Sequence, residues 1–278
     1  VSSHDWFLYG FVRKEAVISS QIEGTQATFE DVVSFEATRQ AEHPAEVEEV
    51  CNYIDALGLM RDELGKADGL PLCVRLLCLA HKRLMRGVRG AEKQPGEVRR
   101  SQNWVGGNRP GTARFVPPPP AAVHQALGAL EAWLHQDDPL PPLVRAGLAH
   151  VQFETIHPFL DGNGRIGRLL IAVLLEQWHV LDAPLLYLSV AFKRHRQEYY
   201  TCLDAVRKAG DWEGWTRFFL SCVREAADDA VAAARRLHSM IGEHRRALTA
   251  HGETTMNAMR LFESLPDHPM VTLPLAAR

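Results

Sequence analysis

The chain has no run of eighteen or more apolar residues, so no segment of it can span a bilayer as a helix. It also lacks the positive flank, short apolar stretch and small-residue cleavage pattern of a secretory leader. Charge of one sign is missing too. Its 31 Lys and Arg stand against 34 Asp and Glu, a formal net charge of −3, which gives no basic footprint for nucleic acid over the chain as a whole. Cysteines are few and odd in number: Cys51, Cys73, Cys78, Cys202 and Cys222 sit among apolar residues at helical spacing. They read as reduced core residues, and the expected compartment is the cytoplasm. No G-x-x-x-x-G-K-[ST] occurs, which excludes a Walker A loop, and no H-E-x-x-H, which removes that zinc motif. What is there is a chain of 278 residues, 46% apolar and 23% charged. That is ordinary globular composition, enough for one large domain or a domain with appendages.

Almost every segment has helical periodicity, so the expected class is all-α. Val47, Val50, Ile54, Leu57 and Leu64 trace one amphipathic face. Val74, Leu77, His81 and Leu84 trace a second, and Val123, Leu127, Leu130 and Leu134 a third. Further helices are expected near 196–208 and from about 213 onward, the latter entered through Asp211-Trp212. The exception is Pro95 to Phe115. There Glu97 to Arg100 and Ala113 to Val116 flank the turn-rich Gly106-Gly107-Asn108-Arg109-Pro110-Gly111, which predicts a β-hairpin. Pro117 to Pro120 then make a stiff extended connector.

The most informative stretch is His157-Pro-Phe-Leu-Asp161-Gly162-Asn163-Gly164-Arg165-Ile-Gly167-Arg168. Ile166, Leu169, Leu170, Val173 and Leu174 follow at helical spacing, so a glycine-rich turn runs straight into a helix that begins near Gly164 or Arg165. A loop leading into a helix N-terminus is an anion site, because unpaired backbone N–H groups and the positive end of the helix dipole converge there. Arg165 and Arg168, three apart, add forked donors suited to phosphate oxygens. Asp161 at the lip can hold a hard cation such as Mg2+ together with substrate phosphates. His157 is the one group in the stretch whose ordinary pKa suits general-base work near neutral pH. A rival reading exists, since Gly162-x-Gly164-x-x-Gly167 also spells a dinucleotide fingerprint, with Asp182 twenty residues on. That fingerprint needs a buried strand just before it. Val144, Leu148 and Val151 instead precede it at helical spacing, and Glu154 to Pro158 is too polar for a central strand. Of the thirteen histidines, most, including His150, His179 and His238, read as ordinary surface or core residues.

This dodecamer resembles the signature of the Fic (Fido-fold) family, H-x-F-x-[DE]-G-N-G-R-x-x-R, and fills every fixed position of it. The resemblance extends from the N-terminus to about residue 225. It implies a Fido-fold helical bundle with a small β-hairpin flap. Its implied divisions are an N-terminal helical region (1–90), a catalytic core (91–225) and C-terminal helices (226–278). It implies transfer of AMP from ATP to a Ser, Thr or Tyr hydroxyl of a protein target. His157 would then be the base, Asp161 the Mg2+ ligand, Gly162, Asn163, Gly164 and Gly167 the phosphate cradle, and Arg165 and Arg168 the grip on the β- and γ-phosphates. Phe159 would anchor the loop in the core.

The same resemblance assigns three outlying segments. Asn103-Trp104-Val105-Gly106-Gly107 resembles the family flap, which holds the target in extended form by main-chain pairing; such pairing orients the hydroxyl without selecting the target. Ser19-Ser20-Gln21-Ile22-Glu23-Gly24 resembles the inhibitory-helix pattern [ST]-x-x-x-E-[GN], whose Glu pairs with the second motif arginine, here Glu23 with Arg168. Independently, Phe11, Ile18 and Ile22 share a helix face, Gly24 is a stop signal, and Glu23 faces the negative end of the helix dipole. His195 to Tyr200 resembles a segment lining the family's adenine site, which makes Tyr199 and Tyr200 candidate base contacts. Met256 to Phe262, followed by Pro269 to Ala277, resembles the opening of a winged helix-turn-helix, a common C-terminal companion in the family. No recognition helix follows, and DNA binding by these residues is unsupported. Two alternatives stay open. One is Doc-like transfer of another phosphate-containing group, disfavoured because those proteins carry Lys where this chain has Gly164. The other is a non-catalytic nucleotide-sensing regulator. Monomer and homodimer are both compatible with the sequence.

Overall fold

The computed structural model describes residues 3–250, 255–265 and 269–271, and among them it forms eleven α-helices and one short 3-10 turn. The class is all-α. The centre is α7 (Asn163–Gln177), the helix that follows the glycine-rich turn. Ile166, Leu169, Leu170, Ile171, Val173, Leu174 and Leu175 are all buried, so this helix is apolar almost all round and sits inside the bundle. Each such residue contributes about 1.5–3 kcal/mol by leaving water.

Around it pack α6 (Pro142–Ile156), α3 (Pro44–Gly65), α4 (Val74–Leu84) and α1 (Ser3–Ile22). α5 (Pro120–His135) covers α4 and α6, and α2 (Phe29–Thr38) lies on α1 and α3. α2 is held at its start by a reciprocal cap, Thr28 accepting from the Asp31 amide and Asp31 from the Thr28 amide. α8 (Leu188–Arg194), α9 (Arg196–Ala209) and the long α10 (Trp212–Thr249) close the other side. Asp211 caps α10 through the Gly214 amide at 2.9 Å, and Trp215 Nε1 donates to Gly147 O at 2.8 Å, tying α10 to α6. α11 (Thr255–Ser264) packs on α10.

The expected hairpin is corrected. Among the described residues the only strand-like pairing is a single antiparallel bridge, Val105 with Phe115, with a 3-10 turn at Pro110–Thr112 between them. The arm expected at Glu97 to Arg100 pairs elsewhere. Arg99 N donates to Pro158 O at 2.9 Å, and its buried guanidinium binds the carbonyls of His157 and Pro118. Of the expected opening of a winged helix-turn-helix, Met256 to Phe262 lies on α11, while 272–277 of the segment from Pro269 to Ala277 lie outside the described residues. No described helix is long and apolar enough to cross a membrane.

Candidate active site

α6 ends at His157, which takes a left-handed conformation (φ 50, ψ 61) and donates its backbone N–H to Phe153 O at 2.9 Å. Positive φ at a non-glycine residue is strained and must be held by its surroundings. The loop is pinned from behind. Asn163 closes it, its Oδ1 accepting from Phe159 N and its Nδ2 donating to Phe159 O, both at 2.8 Å. Phe159 is buried and stacks on His81 with centroids 3.8 Å apart. Because His81 Nδ1 accepts from Gly96 N at 2.9 Å, its Nε2 carries the proton and donates to Asp161 O at 3.0 Å. Burial lowers the His81 pKa to about 4, so this staple is neutral. Asn103 Nδ2 adds a bond to Phe159 O at 2.8 Å, and Arg99 Nε one to His157 O at 2.9 Å. With its carbonyls bound on the inner side, the loop enters α7 at Gly162 (φ 74) with the first helical N–H groups open.

A cleft of about 280 Å³ lies in front of this loop, walled by Trp104 to Gly106, His157, Asp161 to Gly164, Arg168 and Glu23. His157 Nδ1 faces two acceptors, Glu154 O at 3.3 Å and Glu154 Oε2 at 3.7 Å. Nδ1 therefore holds the proton, and Nε2 is left with a free lone pair. Burial would raise the Glu154 carboxyl, but His157, His150 and Arg207 outweigh it and hold it down at about 2. Asp161 is about a third exposed; Oδ1 accepts from Gly162 N at 2.7 Å and Oδ2 faces Lys93 Nζ at 3.4 Å.

The two motif arginines part company. Arg168 is buried and points to the N-terminal helix. Nε donates to Ser19 Oγ at 2.8 Å, and Nη2 donates to Ser19 O at 3.0 Å and to Glu23 Oε1 at 2.6 Å. Burial opposes its charge, but Glu23 more than compensates and the pKa is raised. Arg165 is buried outside the cleft wall, with Nη1 3.6 Å from Glu49 Oε2 and with Nε and Nη1 lacking hydrogen-bond partners.

Other sequence-predicted residues divide in the same way. Trp104, Val105 and Gly106 line the cleft. Asn103 turns inward to the loop, and Gly107 O accepts from Trp104 Nε1 at 3.3 Å. Gly167 faces the core, where a β-carbon would lie 2.9 Å from Glu154 Oε1. Tyr199 is buried, with its hydroxyl 2.8 Å from His150 Nε2. His150 Nδ1 donates to Gly167 O at 2.9 Å, so Nε2 accepts from that hydroxyl. Tyr200 is half-buried at the cleft edge between the Arg114 and Arg196 guanidiniums. Sequence reasoning missed Glu154, Glu49, Arg99 and the roles of His81 and His150. Only Glu154 carried a signal, a carboxylate three residues before His157 and hence near it on a helix end.

Residues 71–175 match the Fic/DOC family model, and residues 1–60 match the Fic/DOC family N-terminal model. A curated relative from Drosophila grimshawi named protein adenylyltransferase Fic is 31% identical over 218 residues, covering 74% of this chain and 40% of that protein. A protein of the same name from Aedes aegypti is 35% identical over 150 residues, 53% of this chain and 27% of that one. The chain thus spans about two fifths or less of the length of these relatives. Among solved structures, a Fic family protein from Desulfovibrio desulfuricans G20 is 30% identical with TM-score 0.66, covering 80% of this chain and 66% of that one. A Fic domain containing signaling protein from Bacteroides thetaiotaomicron, 20% identical with TM-score 0.65 over 84% of this chain and 88% of its own, shares the fold. Twin family models over the N-terminal helices and the glycine-rich turn, on a bundle of the same shape, place this chain in the Fic/DOC family.

Proposed function

We propose that this chain transfers AMP from ATP to a Ser, Thr or Tyr hydroxyl of a protein target, and that Glu23 restrains it by occupying Arg168. One observation carries the reading. A histidine with a free Nε2 shares one cleft with an open helix N-terminus and a buried arginine. A base that takes a hydroxyl proton and a cradle that takes phosphate oxygens are what nucleotidyl transfer to an alcohol requires. His157 Nε2 removes the proton as the hydroxyl oxygen attacks the α-phosphorus; the new P–O bond forms as the bond to pyrophosphate breaks. The amides of 162–164 hold phosphate oxygens, and Arg168, once released, neutralises the charge on the distal phosphates.

The fit to Mg2+ is that of a shared site. Asp161 offers one carboxylate, and no cluster of three His, Cys, Asp or Glu among the described residues could cage a metal without substrate. Mg2+ held by one carboxylate and phosphate oxygens is common. When bound it would supply charge neutralisation on the leaving pyrophosphate.

Inhibition follows from charge placement. The Glu23 carboxylate already sits as an anion beside Gly164 and Arg168, where a phosphate is expected. The flap supports target docking through its exposed edge beside the Val105–Phe115 bridge. Tyr200 supports a purine contact from the cleft edge; the buried, hydrogen-bonded Tyr199 supports it from beneath. The cleft draws its walls from 104–106 and 154–200, with Glu23 added from just past the N-terminal helix, in keeping with a catalytic core at 91–225. Incubation of the Glu23→Gly protein with ATP labelled at the α- or the γ-phosphate tests the reading. Label from α alone on protein supports adenylyl transfer. Label from γ supports phosphoryl transfer, and label from neither supports a nucleotide sensor.

A further inference from the structure

We propose that Glu154 is the positioning residue of the base: its buried carboxylate orients His157 and stabilises the imidazolium formed when Nε2 takes the hydroxyl proton. This inference rests on the transfer reading above and assigns a role to a residue outside the twelve-residue signature.

The geometry carries it. Glu154 lies on the last turn of α6, three residues before His157, and is 6% exposed. Its main-chain carbonyl is already engaged, accepting from Arg207 Nη2 at 2.9 Å as well as facing His157 Nδ1. Its side chain forms no comparable hydrogen bond. Oε1 is buried with no hydrogen-bond partner, and Oε2 stands 3.7 Å from His157 Nδ1. A buried carboxylate without hydrogen bonds costs stability unless a positive charge faces it. The facing groups are His157 itself, His150 from the same helix, and Arg207 and Tyr199 from α9, with Arg168 of α7 beyond His150. Of these only His157 reaches the cleft as a proton acceptor. Room for the carboxylate is made by Gly167, where a β-carbon would lie 2.9 Å from Oε1.

During transfer the proton leaves the target oxygen for Nε2, so His157 gains a positive charge. Nδ1–H then points at a carboxylate and a carbonyl together, in a site largely closed to water. The carboxylate faces the charge as it forms and fixes the ring's tautomer in every turnover. The proton leaves for solvent after the new ester has formed.

The test compares Glu154→Gln and Glu154→Asp in the full chain carrying Glu23→Gly. With ring-labelled histidine, the His157 resonance is identified by its loss in His157→Ala, and its titration midpoint is followed by NMR. Glu154→Gln should lower that midpoint by about one unit or more, and Glu154→Asp by much less. The acid limb of kcat against pH should move down by the same amount and the plateau should fall about tenfold or more, with KM for ATP within about twofold. An unchanged His157 midpoint in a folded Glu154→Gln protein overturns the proposal. If the glutamine variant does not fold, the labelled Glu154 carboxyl of the parent serves instead. It should sense the His157 titration, and in His157→Ala its own midpoint should rise; indifference in both overturns the proposal. The NMR readings need no transfer. Coupling without labelling of any target would count against the transfer reading alone, and transfer without coupling against Glu154 alone.

Discussion

Gly164 and Glu23 occupy the same space: a β-carbon on Gly164 would collide with Glu23 Oε1, the atom that binds Arg168. The glycine at the start of α7 thus leaves room for the carboxylate of a residue 141 positions earlier in the chain. This also bears on the Doc-like alternative, in which a lysine stands at that position. No side chain larger than hydrogen fits there while Glu23 stays in place.

Gly164→Ala should therefore destabilise the parent more than it destabilises a Glu23→Gly background. A double-mutant cycle by urea unfolding should give a coupling of about 0.5–3 kcal/mol, the range for residues in contact. Additive effects would show that Glu23 does not sit against Gly164 in solution.

Two buried histidines set a pH limit. His81 and His150 are held neutral by burial, each with a pKa of about 4 against an ordinary 6.5. The unfolded chain binds these protons first as pH falls, so stability contributed above pH 6.5 is lost progressively down to about pH 4. The slope approaches about 1.4 kcal/mol per pH unit for each histidine. Urea midpoints measured from pH 7.5 to 4.5 should fall on the acid side, and His81→Gln should flatten the curve.

The adjacent tyrosines should separate by assay. Tyr199→Phe removes the donor to His150 Nε2 and should lower stability by about 1–3 kcal/mol, the cost of an orphaned buried acceptor. Tyr200→Ala should spare stability and weaken ATP binding, read by calorimetry in the Glu23→Gly protein. Equal stability losses for the two would contradict this division.

In the Glu23→Gly background, His157→Ala should abolish transfer and leave ATP affinity largely intact, because the proposed reading gives the proton to the imidazole and the phosphates to the amides and Arg168. Loss of a general base costs about a hundred- to ten-thousand-fold in rate. Loss of ATP affinity in calorimetry would give His157 a binding role instead.

How far the sequence could be read depended on whether partners were local. The period of Ile166, Leu169, Leu170, Val173 and Leu174 predicts a buried helix, and α7 is one. The turn at Gly106 and Gly107 was legible from its glycines, both at positive φ. Its first arm was misread because Arg99 spends its backbone N–H and its guanidinium on the loop at 156–158, a contact no local pattern records. Arg165 and Arg168 share a helix face by spacing, yet Glu49 lies near one and Glu23 binds the other, since different helices reach them. Glu154 looked like a polar residue spoiling a strand; its meaning depends on His157 turning left-handed three residues later.

In the proposed function the Glu23–Arg168 pair, 2.6 Å long with the arginine side chain 2% exposed, holds a competent transferase in check. Removing the carboxylate leaves a buried guanidinium without its anion, a larger electrostatic change than the loss of an exposed pair, usually under about 1 kcal/mol. The decisive measurement is incorporation from α-labelled ATP into protein by the parent, Glu23→Gly, and Glu23→Gly with Arg168→Ala. The expected result is a rise of about tenfold or more for the single variant, equivalent to about 1.4 kcal/mol, and cancellation of that rise in the double variant. Incorporation by a folded Glu23→Gly protein at the parent's level would show that Glu23 does not restrain transfer.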